Sequence, residues 1–124
     1  MGLMNQEIAK RLLELSETGL EGLEYIHENN LEGKFEQTLT VFTDVVRAFS
    51  EVEQVLDHSG FLANCGELGS ATQLLEDGLD WMAKSYDKKD NLRPVEVMQL
   101  TLMPRYKAWK EELNQCLSEY RVSK

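Results

Sequence analysis

What this chain has little of narrows it first. Two prolines and eight glycines among 124 residues leave no Pro/Gly-rich tract, which excludes a linker or a low-complexity segment as its main content. No run approaches the roughly 20 consecutive apolar residues of a membrane span, so no membrane association is expected. The two cysteines, Cys65 and Cys116, form neither a metal spacing nor a disulfide framework, and this favours a reducing, cytoplasmic home. The start, Met1-Gly2-Leu3-Met4-Asn5-Gln6, lacks the basic residues and apolar run of a signal peptide. Gln6 stands where a myristoylation signal needs Ser or Thr.

Positive charge is also scarce. Thirteen Lys and Arg stand against 22 Asp and Glu, a net charge of −9. The deficit falls on the first half, where residues 1–62 hold twelve acids and four bases while residues 63–124 hold ten and nine. Phosphate contacts dominate nucleic-acid affinity, so an acidic chain with no basic stripe is not expected to bind nucleic acid.

What the chain does have is helical periodicity, with no segment that reads as a strand. A first helix is expected from an N-cap at Asn5 to Asn29 or Asn30, with Ile8, Leu12, Leu15, Leu23 and Ile26 inward. Gly19 and Gly22 lie on that same face. A glycine inside a helix costs about 1 kcal/mol relative to alanine, so close approach of a neighbouring helix backbone is the expected reason. After a turn at Asn30-Leu31-Glu32-Gly33, a second helix runs to Ser59-Gly60 on Phe35, Leu39, Phe42, Val46, Phe49, Val52 and Leu56. Val41, Val45, Ala48 and Val55 widen its face, as befits a central element.

The stretch from Phe61 to Gly69 carries no clear pattern. A capping box at Ser70-Ala71-Thr72-Gln73, with a poorer match at Asn64-Cys65-Gly66-Glu67, predicts a third helix that runs to about Tyr86, with Leu68, Ala71, Leu75, Leu79, Met82 and Tyr86 inward. A polar connection, Asp87-Lys88-Lys89-Asp90-Asn91, leads to a last helix capped by Asp90 or Asn91, with Pro94 in its first turn. Its stripe is Val95, Met98, Leu102, Tyr106, Trp109, Leu113, Cys116 and Tyr120. The stripe keeps phase through Pro104, which falls on the opposite side, so a kink is expected there rather than a break. A weak echo at a shift of about 60 residues, Glu17–Glu21 against Glu76–Asp80, suggests two hairpins packed together. The sequence therefore predicts an all-α fold. It is a single four-helix bundle over residues 1–124, up-and-down, with a long C-terminal helix kinked at Pro104.

Catalytic constellations are not found. Glu24-Tyr25-Ile26-His27 has the Glu-x-x-His form of di-iron bundles, but the only other histidine, His58, follows Val55 at that spacing. The ligand count for a metal is missing, and no metal or cofactor is expected. Cys116 belongs to the core stripe, and Cys65 has no histidine or other base nearby in sequence. No nucleophile elbow or phosphate-binding loop is present.

Two surfaces stand out instead. Glu14, Glu17, Glu21, Glu24 and Glu28 form an acidic ridge at helical spacing, opposite the apolar face of the first helix. Around Pro104 the last helix is apolar on both sides, with Val97, Leu100 and Pro104 on the flank away from the core stripe and Met103 between, an exposed surface unless the Phe61–Gly69 stretch covers it. Apolar patches of that kind mark contact sites. The expected function is a non-enzymatic, cytosolic protein–protein interaction module, with a homodimer as one form and the ridge available to a basic partner. In size, acidity and all-helical character the chain resembles small bacterial secretion and flagellar export chaperones. That resemblance is one of fold, and it implies a helical protein partner.

Overall fold

The computed structural model describes residues 4–86 and 92–120. The polar connection and the caps expected at Asp90 or Asn91 lie outside the described residues. Every element among them is helical: α1 (Gln6–Leu31), α2 (Thr38–His58) after a 3-10 turn at Phe35–Gln37, α3 (Phe61–Asn64), α4 (Leu68–Tyr86), α5 (Leu92–Val97) and α6 (Met103–Cys116). A π-helical turn, Met98–Leu102, joins α5 to α6, so the C-terminal run is continuous. The four long elements form the expected all-α bundle.

The start of α1 is the expected one, because the Asn5 side-chain oxygen accepts from the Ile8 N–H at 2.9 Å and satisfies one of the free donors of the first turn. Gly33, at φ +80°, reverses the chain into α2. That corner is pinned to the far end of α4. Buried Thr38 lies 2.8 Å from the Tyr86 hydroxyl and donates to the Phe35 carbonyl at 2.7 Å. Its single proton is shared between Phe35 and the Asn30 side-chain oxygen at 3.2 Å, so Tyr86 donates to it. Thr38 takes the inward place at the start of α2, and Leu39, expected in the core, is left 51% exposed. The third helix begins at Leu68, two residues before the expected cap at Ser70, and the unpatterned stretch ahead of it holds the short α3.

The core is organised around two aromatic residues of α6. Trp109 is fully buried, meets Phe49 of α2 edge-on at 5.4 Å, and donates its indole N–H to Thr72 of α4 at 3.1 Å. Tyr106, one turn earlier and 5.3 Å from the Trp109 ring, donates its hydroxyl to the Ser16 carbonyl of α1 at 2.7 Å. Burial, and secondarily the charge of Glu17, push the Tyr106 hydroxyl well above the usual tyrosine range, so it remains a donor. The glycines of α1 make room for these contacts. A Cβ on Gly19 would collide with the Tyr106 hydroxyl, and one on Gly22 would lie 2.7 Å from Val45 of α2. Neighbouring side chains, not a neighbouring backbone, require both.

Pro104 does not break the run, and the distortion it demands is taken up in the π turn. The Met103 N–H bonds to the Met98 carbonyl five residues back. One extra residue in a turn rotates everything upstream by about 100°. The buried positions of α5 accordingly fall one residue earlier than the stripe predicted. Pro94 and Val97 are buried, and Val95 is only half-buried. Pro104 itself is exposed, on the solvent side as expected.

The Gly19–Tyr106 contact makes a quantitative prediction. Overpacking costs about 1–3 kcal/mol, less about 1 kcal/mol recovered on removing a helical glycine, so Gly19→Ala is expected to destabilise by about 1 kcal/mol. Tyr106→Phe should cost about 1 kcal/mol for the lost hydrogen bond. In urea unfolding the double variant should lose clearly less than the two single losses added. Strict additivity would mean that the hydroxyl does not lie against Gly19.

Candidate functional site

The surface expected at Val97, Leu100, Met103 and Pro104 is only partly there. Leu100 is 74% exposed and Pro104 is exposed, but Val97 is 8% exposed and Met103 packs against the core. The π turn is the reason, since its extra residue carries Val97 inward. The stretch from Phe61 to Gly69 covers the other end of the C-terminal run. Phe61 meets the Tyr120 ring at 6.0 Å, and Cys65 forms a disulfide with Cys116.

That pairing corrects the reading of two separate thiols. The two Cα atoms are 6.1 Å apart, inside the range a disulfide spans. They lie 51 residues apart in sequence, a separation that hid them, because nothing local relates the two positions. The inference from two lone cysteines to a reducing compartment lapses with the pairing.

The structure assembles a different apolar surface, on the outer face of α4. Its inward stripe, Leu68, Thr72, Leu75, Leu79 and Met82, is buried. The opposite side then presents Leu74 at 50% and Trp81 at 56% exposure, seven residues apart and so on one line of the helix. Asp77, Asp80 and Lys84 are exposed around them. Across the groove from α4, Arg105 of α6 passes over Gly78, where a Cβ would lie 3.4 Å from its side chain, and donates to the Leu74 carbonyl at 2.9 Å. Arg93 and Val97 of α5 complete the opposite wall. Trp81 and Lys84 are shared by two shallow clefts. One, of about 220 Å³, is lined also by Ser85, Arg93 and Val97, and the other, of about 270 Å³, by Leu74, Asp77, Asp80 and Arg105. Both fall below the usual 300–1,000 Å³ range of small-molecule sites. Sequence reasoning overlooked Trp81 and Leu74, although two large apolar residues at i, i+7 on the polar side of an amphipathic helix were a legible signal.

The acidic ridge is where the sequence put it, with all five glutamates exposed. Lys110 of α6 reaches it and pairs with Glu17 at 2.7 Å, relief that came from another helix and so was invisible along α1. His27 does not gather ligands. Its Nδ1 is buried without a hydrogen-bond partner, and among the described residues no three His, Cys, Asp or Glu side chains come together as a metal site would need. No helix among the described residues is long and apolar enough to cross a membrane.

One carboxylate is electrostatically unusual. Burial between α2 and α4 raises the Glu53 pKa above its ordinary value, helped by the charge of Glu76, a hydrogen bond to that same side chain, and the charge of Asp57. As pH rises through the ordinary carboxylate range, the unfolded chain gives up this proton before the folded one does. Stability therefore falls until the raised pKa is passed, and the deficit persists above it. Glu53→Gln is thus expected to raise the urea midpoint at about pH 7 and to leave it unchanged near pH 3.5. Equal gains at both would assign the effect to packing. For the disulfide, peptide mapping without reductant should recover Cys65 and Cys116 cross-linked. Reduction should lower stability by up to about 4 kcal/mol, the entropy of a loop this long. Two freely alkylated thiols in the oxidised, folded protein would refute the pairing.

A family model described as Domain of unknown function (DUF8042) matches residues 7–112. That is most of the chain, and the protein belongs to this family. The match includes Cys65 and all of α4 and stops short of Cys116. Neither a curated protein nor a solved structure matched the chain.

Proposed function

We propose that this member of the DUF8042 family is a non-enzymatic protein-interaction module that works through the outer face of α4. The observation that carries the reading is Trp81. More than half exposed, it stands on one line with half-exposed Leu74 and borders a cleft on each side. Leaving over half of a tryptophan in water forgoes apolar burial, and tryptophan is among the residue types enriched at the energetic centre of protein interfaces. The chemistry around it supports binding over catalysis. The polar groups lining the clefts are two carboxylates, one lysine, two arginines and the Ser85 hydroxyl, which is spent on the Met82 carbonyl at 2.6 Å, with no histidine, cysteine or tyrosine among them.

A second reading is favoured by a separate groove of about 410 Å³ near the start of α2. Phe35, Leu39, Phe42, Ala83 and Tyr86 line it, with Glu36 and Thr43 at its margin. An apolar trough between two helices suits the apolar face of a third, which is the form a chaperone-like role toward a helical partner would take.

A photo-cross-linking amino acid at position 81, irradiated in extract of the cells that make the protein, tests the first reading. Protein adducts are expected there and not from the same label at exposed, polar Glu111. Irradiation that yields no more adduct at 81 than at 111 would sink it.

A further inference from the structure

The charges around Trp81 are arranged so that the surface complements itself. Along the exposed line of α4, acid precedes the indole and base follows it: Asp77 and Asp80, then Trp81, then Lys84. Arg93 extends the basic end from across the groove. Neither Lys84 nor Arg93 has an ion-pair partner among the described residues, a condition they share with Lys10, Arg105 and Lys107, whereas Arg11, Lys34, Arg47 and Lys110 are paired. The gradient along the helix is thus left open at its positive end.

Such a polarity has a natural partner. When two identical helices cross antiparallel about a two-fold axis, residue i of one faces a residue of the other whose number makes a constant sum with it. With the axis beside Trp81, that sum is close to 161, from 77 and 84. Asp77 of each copy then meets Lys84 of the other, the pair occurs twice, and the two indoles meet near the axis, where the two Asp80 side chains also come together as the one like-charge contact. A parallel pairing would set like charges against each other along the whole line. A partner of uniform charge would satisfy one end of the surface and repel the other.

We infer that the occupant of this face is a second copy of the chain, forming a two-fold dimer through antiparallel α4 helices with Asp77–Lys84 pairs on either side of Trp81. This rests on the interaction-module reading and names its partner.

The test is a charge swap followed by light scattering on the full chain from about 1 to about 100 µM, a range over which mass action exposes a weak dimer. The unaltered protein should approach twice the chain mass. Asp77→Lys opposes lysine to lysine at both pairs, as Lys84→Asp opposes acid to acid, and each should weaken the dimer at least about tenfold. The double variant Asp77→Lys/Lys84→Asp restores both pairs with their signs exchanged and should recover the dimer. Circular dichroism of each single variant checks that it is folded. A monomer throughout the range overturns the inference, as does a dimer indifferent to the single reversals or a double variant that stays monomeric. These failures are distinct from failure of the broader reading. If cross-links from position 81 lead to a different protein, the face binds but not to itself. If they lead nowhere, both are lost.

Discussion

The fold depends on one requirement, that two large aromatic residues with polar ends be buried in the same dry core. Tyr106 and Trp109 are adjacent on α6, each almost wholly removed from solvent, and each carries an O–H or N–H that would cost about 1–3 kcal/mol if left without a partner. Their partners come from different helices: the Ser16 carbonyl on α1 and the Thr72 hydroxyl on α4. Phe49 of α2 closes the indole from the remaining side. Hydrophobic burial alone would hold four helices together in many rotations. Two hydrogen bonds with fixed directions select one of them, and Gly19 is the small residue that lets the tyrosine reach its acceptor.

The register of the C-terminal run follows from that selection. Tyr106 and Trp109 fix the phase of α6, while Pro104 lies just upstream with no N–H to give and a ring that crowds the preceding turn. The π turn resolves the conflict by adding a residue, which leaves α6 in place and rotates α5. Val97 goes inward as a result. The proline thus acts on the surface at a distance, because it decides which residues of α5 are left to line the groove beside Trp81.

This history separates what could be read in the sequence from what could not. The all-helical bundle, the N-cap at Asn5, the need for glycine at 19 and 22, and continuity through Pro104 all follow from local spacing and backbone chemistry. Val97 and Met103 turn inward where an unbroken 3.6-residue period sets them on the outer flank, because a single inserted residue is invisible to a pattern with apolar residues on both sides. Leu39 and Thr38 exchanged roles for a non-local reason, the hydroxyl of Tyr86. The Cys65–Cys116 pairing and the Lys110–Glu17 ion pair join residues brought together only by the packing of the helices. Trp81 is a different case, legible in principle as an apolar residue on the polar side of α4.

The distribution of charge bears on how such a molecule could meet a copy of itself. Two chains of net charge −9 repel, and a uniform spread of that charge would oppose any dimer. The excess is not uniform. The ridge of five glutamates belongs to α1, which packs against α2 and α6, whereas Trp81 looks out from α4. Around the indole two carboxylates face one lysine and two arginines, so that this face is close to neutral while the molecule as a whole is strongly acidic. At physiological salt, charges farther apart than about 8 Å are largely screened. The ridges of two copies would then contribute little repulsion, while charges meeting across the α4 face would still be felt. Association through the balanced α4 face would therefore meet less repulsion than association through α1.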